Sequence, residues 1–332
     1  MPELLEPLTN GKLPLHNRLV MPPMATAKAG ANGEMTDDLI AYYAEKSAGG
    51  ALGLVITEHC YIALQGRNRV GQPSIAEDET VAGWKRLTDD FHANGSKAVM
   101  QINHSGGATT REATGFETVA PSDVASPTGS GETPRPLTTA EIATITEQFA
   151  RAALRVQAAG FDGVEIHAAH GYLLNQFFSP LTNKRTDEYG GDLLGRIRMH
   201  LEVIAAVRAG VGKDFPVLLR LGAVDYLEGG SRIEDAVTAA AEFERAGVDM
   251  LDITGGLSGF LRPDHDEPGY FGDVTEAIKR VVSIPVILTG GVTDPQQAER
   301  LLIDGKADLI GVGRAILKDS GWAQRAVREL EA

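Results

Sequence analysis

Two histidines and a tyrosine leave one short apolar stretch within six residues, in His167-Ala168-Ala169-His170-Gly171-Tyr172. Two imidazoles can hold a substrate oxygen while a phenol hydroxyl gives up a proton. The His-x-x-His spacing also suits one arm of a zinc site, which then needs a third ligand, with His59 and His104 as the candidates. A second constellation lies near the end of the chain, where Thr289-Gly290-Gly291-Val292 and Gly311-Val312-Gly313-Arg314 close two apolar runs. Glycines there let backbone N–H groups approach an anion, and Arg314 adds a fork of donors, so the pair reads as a phosphate cradle. The plainer alternative is turn glycines beside a surface arginine. Gln101, in Gln101-Ile102-Asn103-His104, and Arg220 close or occupy two further runs. An amide offers donor and acceptor together, and a guanidinium stabilises negative charge, so the two suit a planar polar heterocycle that accepts electrons. Either residue could equally be a structural polar group of the interior.

These residues need elements that bring them to one place. Apolar runs at 18–24, 52–58, 97–102, 163–167, 216–221, 250–254, 285–289 and 308–312 read as strands, apolar on both faces as in a buried parallel sheet. Helical patterns fall between them at 36–48, 82–94, 139–159, 196–209, 233–246, 274–282, 295–304 and 323–330. The first should open at Thr36 and the third at Thr139, with Gly160 as the stop. Eight strands alternating with eight helices, and no linker, predict one α/β domain over 1–332, a (β/α)8 TIM barrel. The alternative is an open doubly wound sheet, which wants a glycine-rich turn after its first strand, and Pro22-Pro23-Met24-Ala25 is not one. The long connections 104–138 and 171–193 should lie at the C-terminal mouth, the first as a loop or lid.

With Lys+Arg 31 against Asp+Glu 45, the net charge of −14 disfavours nucleic acid and anionic membrane as partners. Cys60 is the only cysteine, so no internal disulfide, cysteine-rich zinc site or iron–sulfur cluster can be assembled, and the thiol reads as a small buried hydrophobe. The start of the chain lacks the pattern of a signal peptide, and no long apolar run occurs, which leaves a cytoplasmic enzyme as the expectation.

Pro22-Pro23-Met24, Gln101 with Asn103-His104, the stretch from His167 through Ser179-Pro180, Thr186-Asp187-Glu188-Tyr189-Gly190-Gly191, and Gly313-Arg314 together resemble the Old Yellow Enzyme family of NADH:flavin oxidoreductases. The resemblance runs in order from about residue 4 to about residue 330. It is to the single-domain form, because the iron–sulfur segment of the larger dienoyl-CoA reductases has no cysteine ligands here.

The resemblance implies bound FMN, NADH or NADPH as electron donor, and reduction of activated C=C bonds, with the two reactants alternating at one site. It places Pro23, Met24, Ala25 and His59 against the flavin, Gln101 on its pyrimidine edge, and Arg220 on the N1/O2 side. Gly291, Gly313 and Arg314 would hold the phosphate. His167 and His170 would bind the substrate carbonyl oxygen for hydride attack from flavin N5, and Tyr172 would protonate the other alkene carbon. Relatives in the family often pair or form tetramers. Ala25, Ala27, His59 and Gly107 depart from common family residues, which bears on substrate scope. Three alternatives stay open. One is dienoyl-CoA-reductase-like activity on an acyl thioester, the second a metal-dependent or Schiff-base lyase acting on a phosphorylated substrate, and the third a flavoprotein without catalysis.

Overall fold

Short stretches rich in Val, Ile and Leu pair side by side in parallel until the sheet meets itself. In the computed structural model, which describes residues 1–129 and 131–332, the barrel strands are β1 (Leu19–Met21), β2 (Leu54–Tyr61), β3 (Lys97–Asn103) and β4 (Gly163–Ala168). They continue with β5 (Val217–Val224), β6 (Met250–Gly255), β7 (Val286–Thr289) and β8 (Leu309–Gly311). β1 pairs with both β2 and β8, so the barrel is closed and every strand is parallel to its neighbours. The expected (β/α)8 architecture is therefore the observed one.

Eight helices alternate with the strands and cover the barrel: α1 (Asp37–Ser47), α2 (Val81–Ala93), α3 (Thr139–Ala158), α4 (Leu193–Val211), α5 (Ile233–Ala246), α6 (Gly272–Lys279), α7 (Pro295–Ile303) and α8 (Trp322–Glu331). Local chemistry sets their ends. The Thr36 hydroxyl accepts from Leu39 N and caps α1 as expected. For α3 the cap is Thr138 rather than Thr139, because Glu141 reaches back to the Thr138 amide and completes a reciprocal capping box. Gly160, at φ +85°, follows the C-cap of α3. Among the described residues no helix is long and apolar enough to cross a membrane.

Two sequence expectations need correction. The strands are not apolar on both faces throughout. Val20, Leu54, Ile56, Val99, Leu218, Met250, Ile287 and Leu309 do fill the lower interior, in one buried apolar cluster with Leu8, Leu13 and Leu15. Two residues further along their strands, the same inward face carries Gln101, Arg220 and Asp252, and Glu165 points inward beside them. The long connections also carry structure of their own. Of 104–138, all but Ser130 is described, and it holds a short helix (Arg111–Thr114) and a small parallel ladder between Val119–Ala120 and Arg135–Pro136. The connection after β4 contains a buried helix, Leu173–Phe178. Cys60 is buried with its thiol pushed well up by burial, in keeping with a structural role.

Candidate active site

At the C-terminal ends of the strands lies a cavity of about 480 Å³, in the size range of small-molecule sites. Its lining includes the residues that the family resemblance placed at the flavin and the substrate: Pro23, Met24, Ala25, His59, Gln101, His167, His170, Tyr172, Arg220, Gly291, Gly313 and Arg314. The sequence separates them by up to 291 positions, and barrel closure brings them together.

One wall carries the aromatic polar groups. His167 is the penultimate residue of β4, and the chain then turns sharply, with His170 at φ +59° and Gly171 at φ +73°. The turn returns Tyr172 to the same cavity, so its ring centroid lies 5.2 Å from that of His167. His167 and His170 are 5.1 Å apart edge to face, and His59 lies 5.1 Å from Tyr172. Burial, reinforced for His167 by neighbouring His170 and for both by Arg220, holds the two imidazoles well below the usual histidine range. Both are neutral at physiological pH. His59 is driven down to about 3, first by burial and then by Arg69 and Arg220. Gln72 Nε2 lies 2.8 Å from His59 Nδ1; an amide N–H can only donate, so the His59 proton sits on Nε2. Burial raises the Tyr172 hydroxyl, which keeps it protonated as a donor.

The opposite end of the cavity is built from glycine. A Cβ on Gly290 would stand 2.7 Å from the Tyr270 ring, and one on Gly311 would collide with the Thr289 side chain. Gly291 adopts φ +72°, open to glycine at little cost. Arg314 has no carboxylate partner among the described residues, an unbalanced cation beside an open backbone. Between the two ends the floor is Gln101 and Arg220. Arg220 Nε lies 3.1 Å from Asp252 Oδ2, an ion pair whose alignment makes no hydrogen bond. Donor, acceptor, cation and glycine cradle together fit an elongated ligand with a polar ring at one end and a phosphate at the other.

Other lining residues carried no sequence signal. Thr254, Thr128, Phe260, Tyr270 and Leu317 all line the cavity. Thr254 Oγ1 lies 3.0 Å from His170 Nε2, which leaves Nδ1 as the ring nitrogen open to the cavity. Its placement two residues beyond Asp252 on β6, on the inward face, was its only available clue. His104 does not reach the cavity. It packs on Gly66 and accepts from Gly106 N, so the third metal ligand considered from sequence is not supplied by it. Among the described residues no three His, Cys, Asp or Glu side chains gather in a metal-holding arrangement. Gly107 turns toward Pro134 and Ala120 rather than the cavity, and its N–H donates to Gln176 Oε1 at 3.0 Å.

Fold and site define a (β/α)8 barrel with a polar, glycine-lined cavity at its mouth. The chain belongs to the NADH:flavin oxidoreductase / NADH oxidase family, whose model matches residues 3–332. It is similar to the NADH oxidase of Thermoanaerobacter brockii, 40% identical over 322 residues that make up 95% of this chain and 49% of that protein. Among solved structures it resembles 2-naphthoyl-CoA reductase in complex with 2-naphthoyl-CoA, with TM-score 0.93 and 28% identity over 98% of this chain and 52% of that one. Morphinone reductase in complex with tetrahydroNAD is matched with TM-score 0.86 and 30% identity, over 99% of this chain and 91% of that one. The chain spans about half the length of the first curated relatives it matches.

Proposed function

We propose that this chain is an FMN-dependent ene-reductase, taking reducing equivalents from NADH or NADPH and delivering them to the C=C bond of an α,β-unsaturated carbonyl compound. The described barrel acts in this reading as one flavin-binding unit. The observation that carries it is the meeting of two neutral imidazoles and a protonated tyrosine on the wall of a cavity that ends in a glycine–arginine cradle. FMN, when bound, supplies two-electron exchange between nicotinamide and alkene.

The residues of the chain do the rest. Gly291, Gly313 and Arg314 hold the phosphate, Gln101 and Arg220 take the ring, and Pro23, Met24, Ala25 and His59 border it. His167 and His170, as neutral donors, pin the substrate oxygen and draw electron density from the alkene. Tyr172 delivers the proton at the carbon next to the carbonyl. A carbonyl oxygen needs donors of this kind, whereas a flavoprotein without catalysis has no use for them. The likeness to 2-naphthoyl-CoA reductase supports a second substrate class, an unsaturated acyl thioester, whose carbonyl would meet the same two imidazoles.

The test is the visible spectrum of the purified protein, followed by anaerobic mixing with NADH or NADPH and then with cyclohexenone. Wild type should retain a yellow chromophore that bleaches and recovers. Tyr172→Phe should bleach at the normal rate yet recover about 10²- to 10⁴-fold more slowly, the usual worth of a positioned proton donor. A colourless protein that rejects added FMN would overturn the reading, and equal slowing of both steps would remove Tyr172 from its role.

A further inference from the structure

The cavity floor rests on a layer that the chemistry above does not use. Glu165 on β4 and Asp252 on β6 are both completely buried in the barrel interior. Gln101 Nε2 donates to Glu165 Oε2 at 2.6 Å, and Thr289 Oγ1 donates to Asp252 Oδ1 at 3.3 Å. Glu165 Oε1 has no hydrogen-bond partner, although it is shut off from solvent. The charged groups acting on Glu165 are Asp252 and Arg220. His167, two residues along the same strand, is neutral, and the layer below is apolar.

Two carboxyls therefore share one guanidinium. Arg220 is in contact with Asp252 and favours its charged form, against the burial that raises the Asp252 carboxyl as well. Burial first, and the negative charge of Asp252 second, push the Glu165 carboxyl well above the usual carboxylate range. Ionised, Glu165 can only accept, so Gln101 must turn its NH₂ toward it and its carbonyl oxygen toward the cavity. Protonated, Glu165 carries an O–H, and with Gln101 unmoved that donor would be buried without an acceptor. Leaving such a group unpaired is unfavourable, and rotating the amide by half a turn removes the cost. The Glu165 O–H then donates to Gln101 Oε1, and the Gln101 NH₂ faces the cavity.

We propose that Glu165 is a positioning residue for the ring site, its proton deciding whether Gln101 offers the cavity an acceptor or a donor. The inference rests on the reading of this cavity as a flavin site. The chemical class it selects is a ring edge bearing an N–H between two carbonyls: the N–H meets Gln101 Oε1 when Glu165 is ionised and loses that acceptor when Glu165 is protonated. Affinity for such an edge should therefore rise as pH climbs through the titration of Glu165.

Riboflavin is the probe, because it has the ring and lacks the phosphate, whose own ionisation would otherwise contribute to the pH profile. Binding to flavin-free protein, followed by fluorescence quenching between pH 6.5 and 9.5, should tighten about tenfold in wild type, the worth of one hydrogen bond of about 1.4 kcal/mol. Glu165→Gln should bind with an affinity that does not change with pH. Infrared difference spectra of flavin-free protein across the same range should show a protonated-carboxyl band that is lost on alkalinisation and absent from Glu165→Gln. A pH profile shared by wild type and Glu165→Gln, or no such band, would overturn the proposal and leave the flavin reading standing. Failure to bind both riboflavin and FMN would bring down the flavin reading itself, and this proposal with it.

Discussion

His170 occupies the left-handed region, at φ +59°, where a side chain with a Cβ sits at a cost on the order of 1–3 kcal/mol. The strain has a visible return. Followed by Gly171 at φ +73°, it reverses the chain tightly enough for His167, His170 and Tyr172 to face one cavity. Thr254 then fixes the ring by its contact with Nε2. Thr254→Val keeps the shape and removes that contact, so the imidazole loses orientation by about one hydrogen bond. Steady-state kinetics should show kcat/KM for the alkene falling about fivefold while the NAD(P)H half-reaction holds its rate. The trio itself was legible in the sequence because its members are close together and chemically unusual in an apolar run. Thr254, Thr128 and Tyr270 were not, since nothing local separates a threonine that meets a histidine across the barrel from one that packs.

Among the elements, the eight strands were readable from their apolar runs and the helices from their 3.6-residue spacing and caps, with ends shifted by a few residues. What escaped was inward alternation. In a strand as short as Gly163–Ala168, Glu165 and His167 stand among apolar neighbours, and only the closed barrel shows that both point inward. The α3 cap is another instance: adjacent threonines 138 and 139 are equal as letters, and the reach of Glu141 decides between them. Thr138→Ala should remove the capping box and destabilise the protein by about 1 kcal/mol in urea unfolding. Thr139→Ala should leave the midpoint nearly unchanged. Arg135, which pairs with Glu141, holds the end of the small ladder to the same cap, so the Thr138 variant should also expose the 131–138 segment to earlier proteolysis.

The whole molecule keeps several histidines buried and neutral. His200 is completely buried, stacked 5.5 Å from Phe243 and edge to face with Phe178, with burial lowering it to about 3. Above about pH 6.5 neither the folded nor the unfolded chain protonates it, and it contributes nothing to pH dependence. As pH falls below 6.5 the unfolded chain takes up a proton that the folded chain refuses, and stability drains away until about pH 3. At pH 5 the loss from this one group is about 2 kcal/mol. Comparing urea midpoints at pH 7 and pH 5, wild type should lose about that much more than His200→Leu, and parallel losses would show that His200 is not responsible.

Beneath the polar floor, eleven buried apolar side chains stop the bottom of the barrel. The chamber above them is thus a cul-de-sac. Whatever enters has to back out by the way it came, so a guest that lingers delays its successor.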